Sequence, residues 1–123
     1  FGIMVETPSA ALTFEQFVDH ISFAVFGSND LTQFTLAIDR SNESLYSEFD
    51  EKEDAVLLLF ERVISIANDH DVETYIGGQA GSDQDLIPIL WNSGITGFSV
   101  TPDFRTIAET KSLLRNLEDG GLI

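Results

Sequence analysis

The chain has 123 residues, of which 21 are acidic and 6 are basic, so its formal net charge is −15 at pH 7. This length predicts one compact domain, and a hydrophobic content of 43% with 10 Phe excludes an intrinsically disordered chain. The negative charge and the scattered basic residues argue against nucleic acid or a membrane surface as a partner. The absence of Cys excludes disulfides, thiolate metal sites and a Cys nucleophile.

The apolar runs and the start of the sequence indicate whether the chain carries a membrane span or a targeting segment. No apolar run approaches the roughly 18 residues that a membrane span needs. The chain starts at Phe1, with no basic segment ahead of an apolar stretch. We therefore expect a soluble piece of a longer chain.

The first third of the sequence predicts two strand–helix units. Residues 1–5 form a continuous apolar run closed by Glu6, which is typical of a strand buried on both faces. A helix should follow, with Thr13 and Gln16 as its capping box. Residues 23–26 repeat the strand pattern, and the polar segment 27–30 leads into a shorter helix over residues 31–38.

The rest of the sequence predicts two further units. An acidic connection over residues 41–53 precedes a strong amphipathic helix over residues 54–68 and a third strand over residues 72–76. Ser82 and Asp85 offer a capping box for a helix that ends at residues 92–94. The fourth strand covers residues 97–100, and a last helix ends at residues 119–121.

Four strands alternating with helices predict an α/β fold with a parallel sheet and right-handed crossovers. Four βα units are half of a (β/α)8 TIM barrel, whose usual length is about 250 residues. An open sheet of this kind would leave the edge of the first strand unpaired. We therefore expect either that a missing N-terminal half closes the barrel or that two copies associate as a homo-oligomer.

The carboxyl ends of the predicted strands carry the candidate site, because parallel α/β folds place their chemistry there. Adjacent strands lie about 4.8 Å apart, so Glu6 and Asp30 can present their carboxylates to one point if their strands pair. Two carboxylates with water and substrate oxygens suit Mg²⁺, and the lack of Cys or His at the strand ends argues against zinc. Alternatively, these acids cap helices or solvate a loop.

Other polar residues near the strand ends have two readings each. Asn29 either orients a ligand oxygen or makes an Asx-turn. Arg40 either clamps a phosphate or carboxylate or pairs with Asp39 and other surface acids. Most acids are expected to solvate outer helices, and we group Glu51 with them.

Three segments carry a family resemblance: GIMVETPSAAL at residues 2–12, FGSNDLTQFTLAIDR at residues 26–40 and GGQAGSD at residues 77–83. They resemble the C-terminal half of the phosphoenolpyruvate (PEP)-binding barrel shared by PEP synthase, pyruvate phosphate dikinase and enzyme I of the sugar phosphotransferase system. The similarity runs through essentially all 123 residues in consistent order. It implies that residues 1–123 supply barrel strands 5 to 8 of a cytoplasmic, PEP-utilising enzyme.

The resemblance implies roles for five residues. Glu6 and Asp30 would hold Mg²⁺, Asn29 would contact PEP or pyruvate, and Arg40 would contact the phosphoryl group. Ser28 stands where the family usually has Thr, and its backbone can still line the phosphate cavity. The phosphoryl group would pass between the substrate and a histidine of a separate phosphohistidine domain, which, like the N-terminal half-barrel, lies outside this chain.

Gly77 is the main departure from the family pattern. Family members typically carry a Cys there, which exchanges a proton with the substrate methylene carbon, and Gly cannot replace that acid. No catalytic residue is therefore assigned within this chain. Three functions remain open: the Mg²⁺ and PEP half-site of a PEP synthase-like or enzyme I-like phosphotransferase, a degenerate module that binds metal or a phosphorylated small acid without turnover, and a self-associating structural module.

Overall fold

The structure, a computed structural model of the chain, describes residues 1–120. Four strands are present: β1 (Gly2–Val5), β2 (Phe23–Gly27), β3 (Glu73–Gly77) and β4 (Gly97–Phe98). Five α-helices accompany them: α1 (Pro8–Leu12), α2 (Ser28–Leu36), α3 (Asp54–Asp69), α4 (Leu86–Ser93) and α5 (Phe104–Glu118). The last helix ends as predicted near Asp119, whereas Gly121 lies outside the described residues.

The strands form one parallel sheet in the order β1-β2-β3-β4. The register pairs Val5 with Phe26 and Gly27 with Gly77, so the carboxyl ends of the first three strands stand side by side. This confirms the predicted α/β class and the four parallel strands, and it is consistent with half a barrel. Closure into an eight-stranded barrel stays a prediction.

Helix α3 contributes more buried apolar residues to the core than any other helix of the described chain. Its apolar face repeats at helical spacing, and six of its residues are buried: Val56, Leu59, Phe60, Val63, Ile64 and Ala67. The ring of Phe60 meets that of Phe26 of β2 edge to face, with centroids 5.0 Å apart. This packing fixes β2, and with it the segment that follows β2, relative to the rest of the domain.

The predicted helix capped by Thr13 and Gln16 is wrong in its position. The helix begins earlier, because the Thr7 hydroxyl accepts a hydrogen bond from the Ala10 amide and Pro8 stands in its first turn. Thr13 instead ends α1, and its hydroxyl donates to the Ser9 carbonyl. Residues 14–16 and 18–20 form two separate 3₁₀ turns.

Two boundaries on the site side also differ from prediction. Helix α2 begins at Ser28, directly after β2, and ends where Ala37 adopts a left-handed φ of 55°. Asp83, rather than a box of Ser82 and Asp85, caps the start of α4, since its carboxylate accepts from the backbone amides of Asp85 and Leu86.

The fourth strand is shorter than the predicted 97–100. The Ser99 amide still donates to the Ile76 carbonyl, but the chain then leaves the sheet, and the Thr101 amide donates to the Ser82 hydroxyl instead. Within residues 1–120, none of the helices combines the length and the hydropathy required to cross a membrane.

Candidate functional site

Glu6 directly follows β1 and lies against the backbone of β2. A Cβ atom on Gly27 would come within 2.6 Å of the Glu6 Cγ and 2.7 Å of its Oε1. Those distances are well inside van der Waals contact, so the Glu6 side chain occupies the space that any larger residue at position 27 would fill. The missing Cβ of Gly27 therefore makes room for a carboxylate at the carboxyl edge of the sheet.

Ser28 links the second strand to the third. Its side chain is buried, with 1% exposure, and its hydroxyl donates to the Gly77 carbonyl over 3.0 Å. Because Ser28 opens α2, this hydrogen bond ties the first turn of the helix to the end of β3. The turn that carries Asn29 and Asp30 is thereby held at the strand ends.

The Asn29 amide lies between two charged side chains of the loop that follows α2. With its oxygen toward Arg40 and its nitrogen toward Glu51, the oxygen accepts from Nη1 at 2.9 Å and the nitrogen donates to Oε1 at 3.1 Å. In the opposite orientation the oxygen would face only acceptors and the nitrogen only donors. The neighbours of Asn29 thus select a single orientation of its amide.

Arg40 also faces Asp30, with 3.9 Å between Nη2 and the Asp30 Oδ1. Both side chains remain more than 40% exposed, so the pair adds little to stability. The arginine fork therefore stays available at the rim of the site. Asp39 is the alternative partner that the sequence suggests for Arg40. Its carboxylate accepts instead from the amide and hydroxyl of Ser41.

Glu51 is the site residue that sequence reasoning missed. The prediction that it is one of the acids that solvate outer helices is wrong, because Glu51 lies in the loop before α3 and is only 8% exposed. Burial raises the pKa of its carboxyl, and the neighbouring Ser28 side chain offsets this only in part. The charged run around it, DEKED at residues 50–54, resembles a solvated loop, so composition alone hid it.

The next residue, Lys52, anchors this loop to the opposite side of the site. Its Nζ lies 3.0 Å from the Asp83 carboxylate. Partial burial acts to raise the pKa of Asp83, but the Lys52 hydrogen bond and the backbone amides of Asp85 and Leu86 outweigh it and lower that pKa overall. The ion pair closes the loop over residues that follow β3.

Two cavities adjoin these residues. One, of about 200 Å³, is lined by Tyr46, Phe49, Asp50, Glu51, Lys52, Gln79 and Asp83. The other, of about 320 Å³, is lined by Asn29, Gly78, Gln79, Ser99, Val100, Thr101 and Pro102. Gln79 lines both, and the Asn29–Glu51 hydrogen bond joins a residue of one cavity to a residue of the other. The cavities are therefore neighbouring parts of one concave edge.

Gly77 and Gly78 end β3 at this edge. A Cβ on Gly77 would meet only the Ser99 Cβ, at 4.0 Å, so the fold leaves room for a Cβ that the sequence does not supply. Gly78 differs, because its φ of 75° is left-handed and a Cβ there would approach the Ser28 hydroxyl within 3.1 Å. Gly78 is thus required by the backbone, whereas Gly77 is not.

The donor set suits a hard divalent cation better than zinc. Glu6 and Asp30 bring two carboxylates to the ends of neighbouring strands, and Gly27 leaves the space that the Glu6 carboxylate needs. Within the described part of the chain no group of three or more His, Cys, Asp or Glu is placed to hold a metal ion. Mg²⁺ commonly takes one or two carboxylates and completes its shell with water and substrate oxygens, so these residues fit it.

The sequence thus located the edge and most of its polar residues. Ser28, Asn29, Asp30 and Arg40 lie together around the first turn of α2, and Glu6 lies against Gly27 one strand away. Their assignment to substrate or metal stays a prediction. Glu51, Lys52 and Asp83 were not assigned, because their placement depends on how an aperiodic loop folds back.

The sequence of the chain matches a known protein family over almost its whole length. The family described as "PEP-utilising enzyme, PEP-binding domain" matches residues 1–119. The probable phosphoenolpyruvate synthase of Pyrococcus horikoshii is 48% identical over 104 residues, which cover 84% of this chain and 13% of that protein. The phosphoenolpyruvate synthase of Pyrococcus furiosus is 47% identical over 104 residues, with the same coverage.

More distant relatives carry a second name. A phosphoenolpyruvate-protein phosphotransferase of Lactococcus lactis is 32% identical over 117 residues, which cover 95% of this chain and 20% of that protein. The chain therefore spans only about an eighth to a fifth of the length of these relatives. Since the family match covers nearly every residue, the chain belongs to the PEP-utilising enzyme, PEP-binding domain family.

Proposed function

We propose that this domain is the Mg²⁺-dependent, PEP- and pyruvate-binding part of a PEP synthase-like phosphotransferase. The overall reaction would convert ATP, pyruvate and water into PEP, AMP and phosphate through a phosphohistidine on another domain. The observation that carries the proposal is the set of polar residues at the ends of β1 and β2: Glu6 lies against Gly27, and Arg40 faces both Asn29 and Asp30 at the first turn of α2. A cytoplasmic location goes with this function.

The residues of the cluster divide the work by their chemistry. Glu6 and Asp30 would hold the Mg²⁺ ion, which when bound supplies charge neutralisation for anionic substrate oxygens. Arg40 presents a planar cationic fork that suits a phosphoryl or carboxylate group. Asn29 offers an uncharged amide donor beside it, and Ser28 holds the turn in place. Positioning and charge neutralisation are thus what this chain contributes.

The degree of identity supports a synthase-like rather than an enzyme I-like reaction. The relatives named as synthases are 46–48% identical, whereas those named as protein phosphotransferases are 31–32% identical. The absence of a side chain at Gly77 is the one feature that favours binding without turnover. If the protein does turn over its substrate, water or a residue from outside this chain has to exchange the proton with the substrate methylene carbon.

Replacement of the two proposed metal ligands tests the binding function. Glu6→Gln and Asp30→Asn, made in the full-length protein, should abolish Mg²⁺-dependent binding of PEP measured by calorimetry. Glu61→Gln, which removes an exposed carboxylate of α3, provides the matched control and should bind as the wild type does. Unchanged affinity in both ligand variants would contradict the proposal.

Proton exchange distinguishes turnover from binding alone. Full-length protein with Mg²⁺ and pyruvate is placed in D₂O, and loss of the methyl proton signal is followed by NMR. Exchange faster than in protein-free buffer supports the enzyme, while intact binding with no exchange supports the degenerate module.

A further inference from the structure

The amide of Asn29 is fixed at both of its ends, and Glu51 provides one of the two contacts. An amide nitrogen carries two hydrogens. Among the described residues, only Glu51 accepts from the Asn29 nitrogen, at 3.1 Å, so one N–H remains for another acceptor. Because Asn29 lines the 320 Å³ cavity, that acceptor can be a ligand atom.

The placement of Glu51 is unusual for a residue with only a structural role. A buried carboxyl group is costly unless hydrogen bonds compensate for lost water. The contacts of Glu51 are to Ser28 and Asn29, both in the first turn of α2, where the ligand residues stand. The charged groups that face it are Asp50, Lys52 and Asp83, and none of them contacts Asn29.

We propose that Glu51 is a positioning residue of the ligand site, which holds the Asn29 amide so that its free N–H meets an anionic oxygen of the substrate. Without Glu51 the amide keeps only its contact with Arg40, so it can tilt about that hydrogen bond and its nitrogen is no longer aimed at the anion. Both protonation states of a carboxyl group accept a hydrogen bond, so the role does not depend on the charge of Glu51. The inference rests on the proposed function, because it takes PEP or pyruvate as the anion.

Two substitutions separate positioning from charge. Glu51→Met removes the acceptor but keeps an unbranched side chain of similar size, and it should raise the Kd of the full-length protein for PEP with Mg²⁺ about five- to tenfold. Glu51→Gln keeps an acceptor for Asn29, while its amide nitrogen can donate to Ser28, so its Kd should stay within about twofold of the wild type. Equal losses in the two variants would overturn the proposal.

A neighbouring variant controls for loop closure. Lys52→Met breaks the ion pair with Asp83 that closes the same loop, but it changes neither residue of the Asn29–Glu51 contact. It should weaken PEP binding clearly less than Glu51→Met does. If Lys52→Met weakens binding as much as Glu51→Met, closure of the loop rather than the amide contact determines affinity, and the positioning role is wrong.

A double-mutant cycle tests whether Glu51 acts through Asn29. Asn29→Ala should weaken PEP binding, and adding Glu51→Met to it should cause no further loss, because the amide to be positioned is already absent. Additive losses would overturn the proposal. Pyruvate, measured in parallel, identifies the oxygen: equal losses for both ligands indicate the carboxylate, and losses for PEP alone indicate the phosphoryl group.

An NMR measurement keeps failure of the inference distinct from failure of the proposed function. If wild-type protein binds neither PEP nor pyruvate, the proposed function fails. The Asn29 side-chain signals of ¹⁵N-asparagine-labelled full-length protein then decide the contact. One of the two amide protons should be shifted downfield in the wild type and in Glu51→Gln, and the shift should be lost in Glu51→Met. Equivalent signals in all three proteins would overturn the inference.

Discussion

The contact between Gly27 and Glu6 gives the sharpest test of the metal site, because a single methyl group should displace a proposed ligand. In Gly27→Ala the new Cβ would lie 2.6 Å from the Glu6 Cγ and 2.7 Å from its Oε1. The φ of Gly27 is −83°, which any residue adopts, so the backbone itself need not be strained. The clash is therefore with the side chain of Glu6.

The size of the displacement follows from the contact distances. Ordinary van der Waals contact begins at 3.4 Å, so the Glu6 side chain must retreat by about 0.8 Å. A binding constellation needs its groups within about 0.5 Å of the productive geometry. Disturbing the support of a metal ligand typically costs about 10- to 100-fold in metal affinity. We expect Gly27→Ala to lose Mg²⁺ affinity in that range while it keeps most of its stability, since a flexible side chain can move.

Magnesium titration of the full-length protein in the presence of PEP, with a thermal melt of each variant, tests this expectation. Gly77→Ala is the matched control, because Gly77 is the register partner of Gly27 and its Cβ would meet only the Ser99 Cβ at 4.0 Å. That control should bind Mg²⁺ as the wild type does. If Gly27→Ala retains wild-type Mg²⁺ affinity, Glu6 is not a ligand and the reasoning is refuted.

Three further substitutions address packing, protonation and turnover. Gly81→Ala places a Cβ against the Ser99 carbonyl, which is backbone and cannot give way, so urea denaturation should show a loss of about 2 kcal/mol or more, and a loss below 0.5 kcal/mol would contradict the packing. Burial raises the pKa of Glu51 above 4.5, so its protonated form stabilises the fold at low pH and that contribution is lost as pH rises through the folded pKa. Glu51→Gln should therefore gain stability relative to the wild type as pH rises above about 4.5, and a pH-independent difference in urea denaturation would contradict this. Gly77→Cys has room for its Cβ and restores the acid that the family resemblance implies, so deuterium exchange into the pyruvate methyl group should accelerate about 100-fold by NMR; no acceleration would contradict the assignment.

Periodicity predicted the strands and α3 because burial on one or both faces imposes a regular apolar pattern. It failed at helix starts, where one hydrogen bond decides the boundary. Thr7 and Asp83 cap α1 and α4, although Thr13 and Ser82 carried the more familiar spacing. The positions of Glu6 and Asp30 at one edge could be predicted, because parallel strands bring their carboxyl ends together whatever the details of packing.

Glu51 could not be predicted from the same logic. Its position depends on a return of the loop over residues 37–53, which has no apolar period to set its course. The contacts that direct it are its hydrogen bond with Asn29 and its proximity to Ser28, and these appear only when distant segments are brought together. Acidic loops are usually solvated, so the general expectation for such a loop predicts an exposed Glu51 rather than a buried one.

The net charge of −15 affects how the site can bind an anionic substrate. An anionic substrate is repelled by such a surface unless cations stand beside its binding position. Arg62 and Arg105 pair with Glu15 and Glu109, away from the strand ends, whereas Arg40 lies at the rim of the candidate site. Its Nη1 donates to Asn29, and its Nη2 lies 3.9 Å from Asp30, so the Nη2 hydrogens stay available to a ligand. Binding of PEP should therefore depend jointly on Arg40 and on the divalent cation, because neither charge alone offsets the surrounding acids.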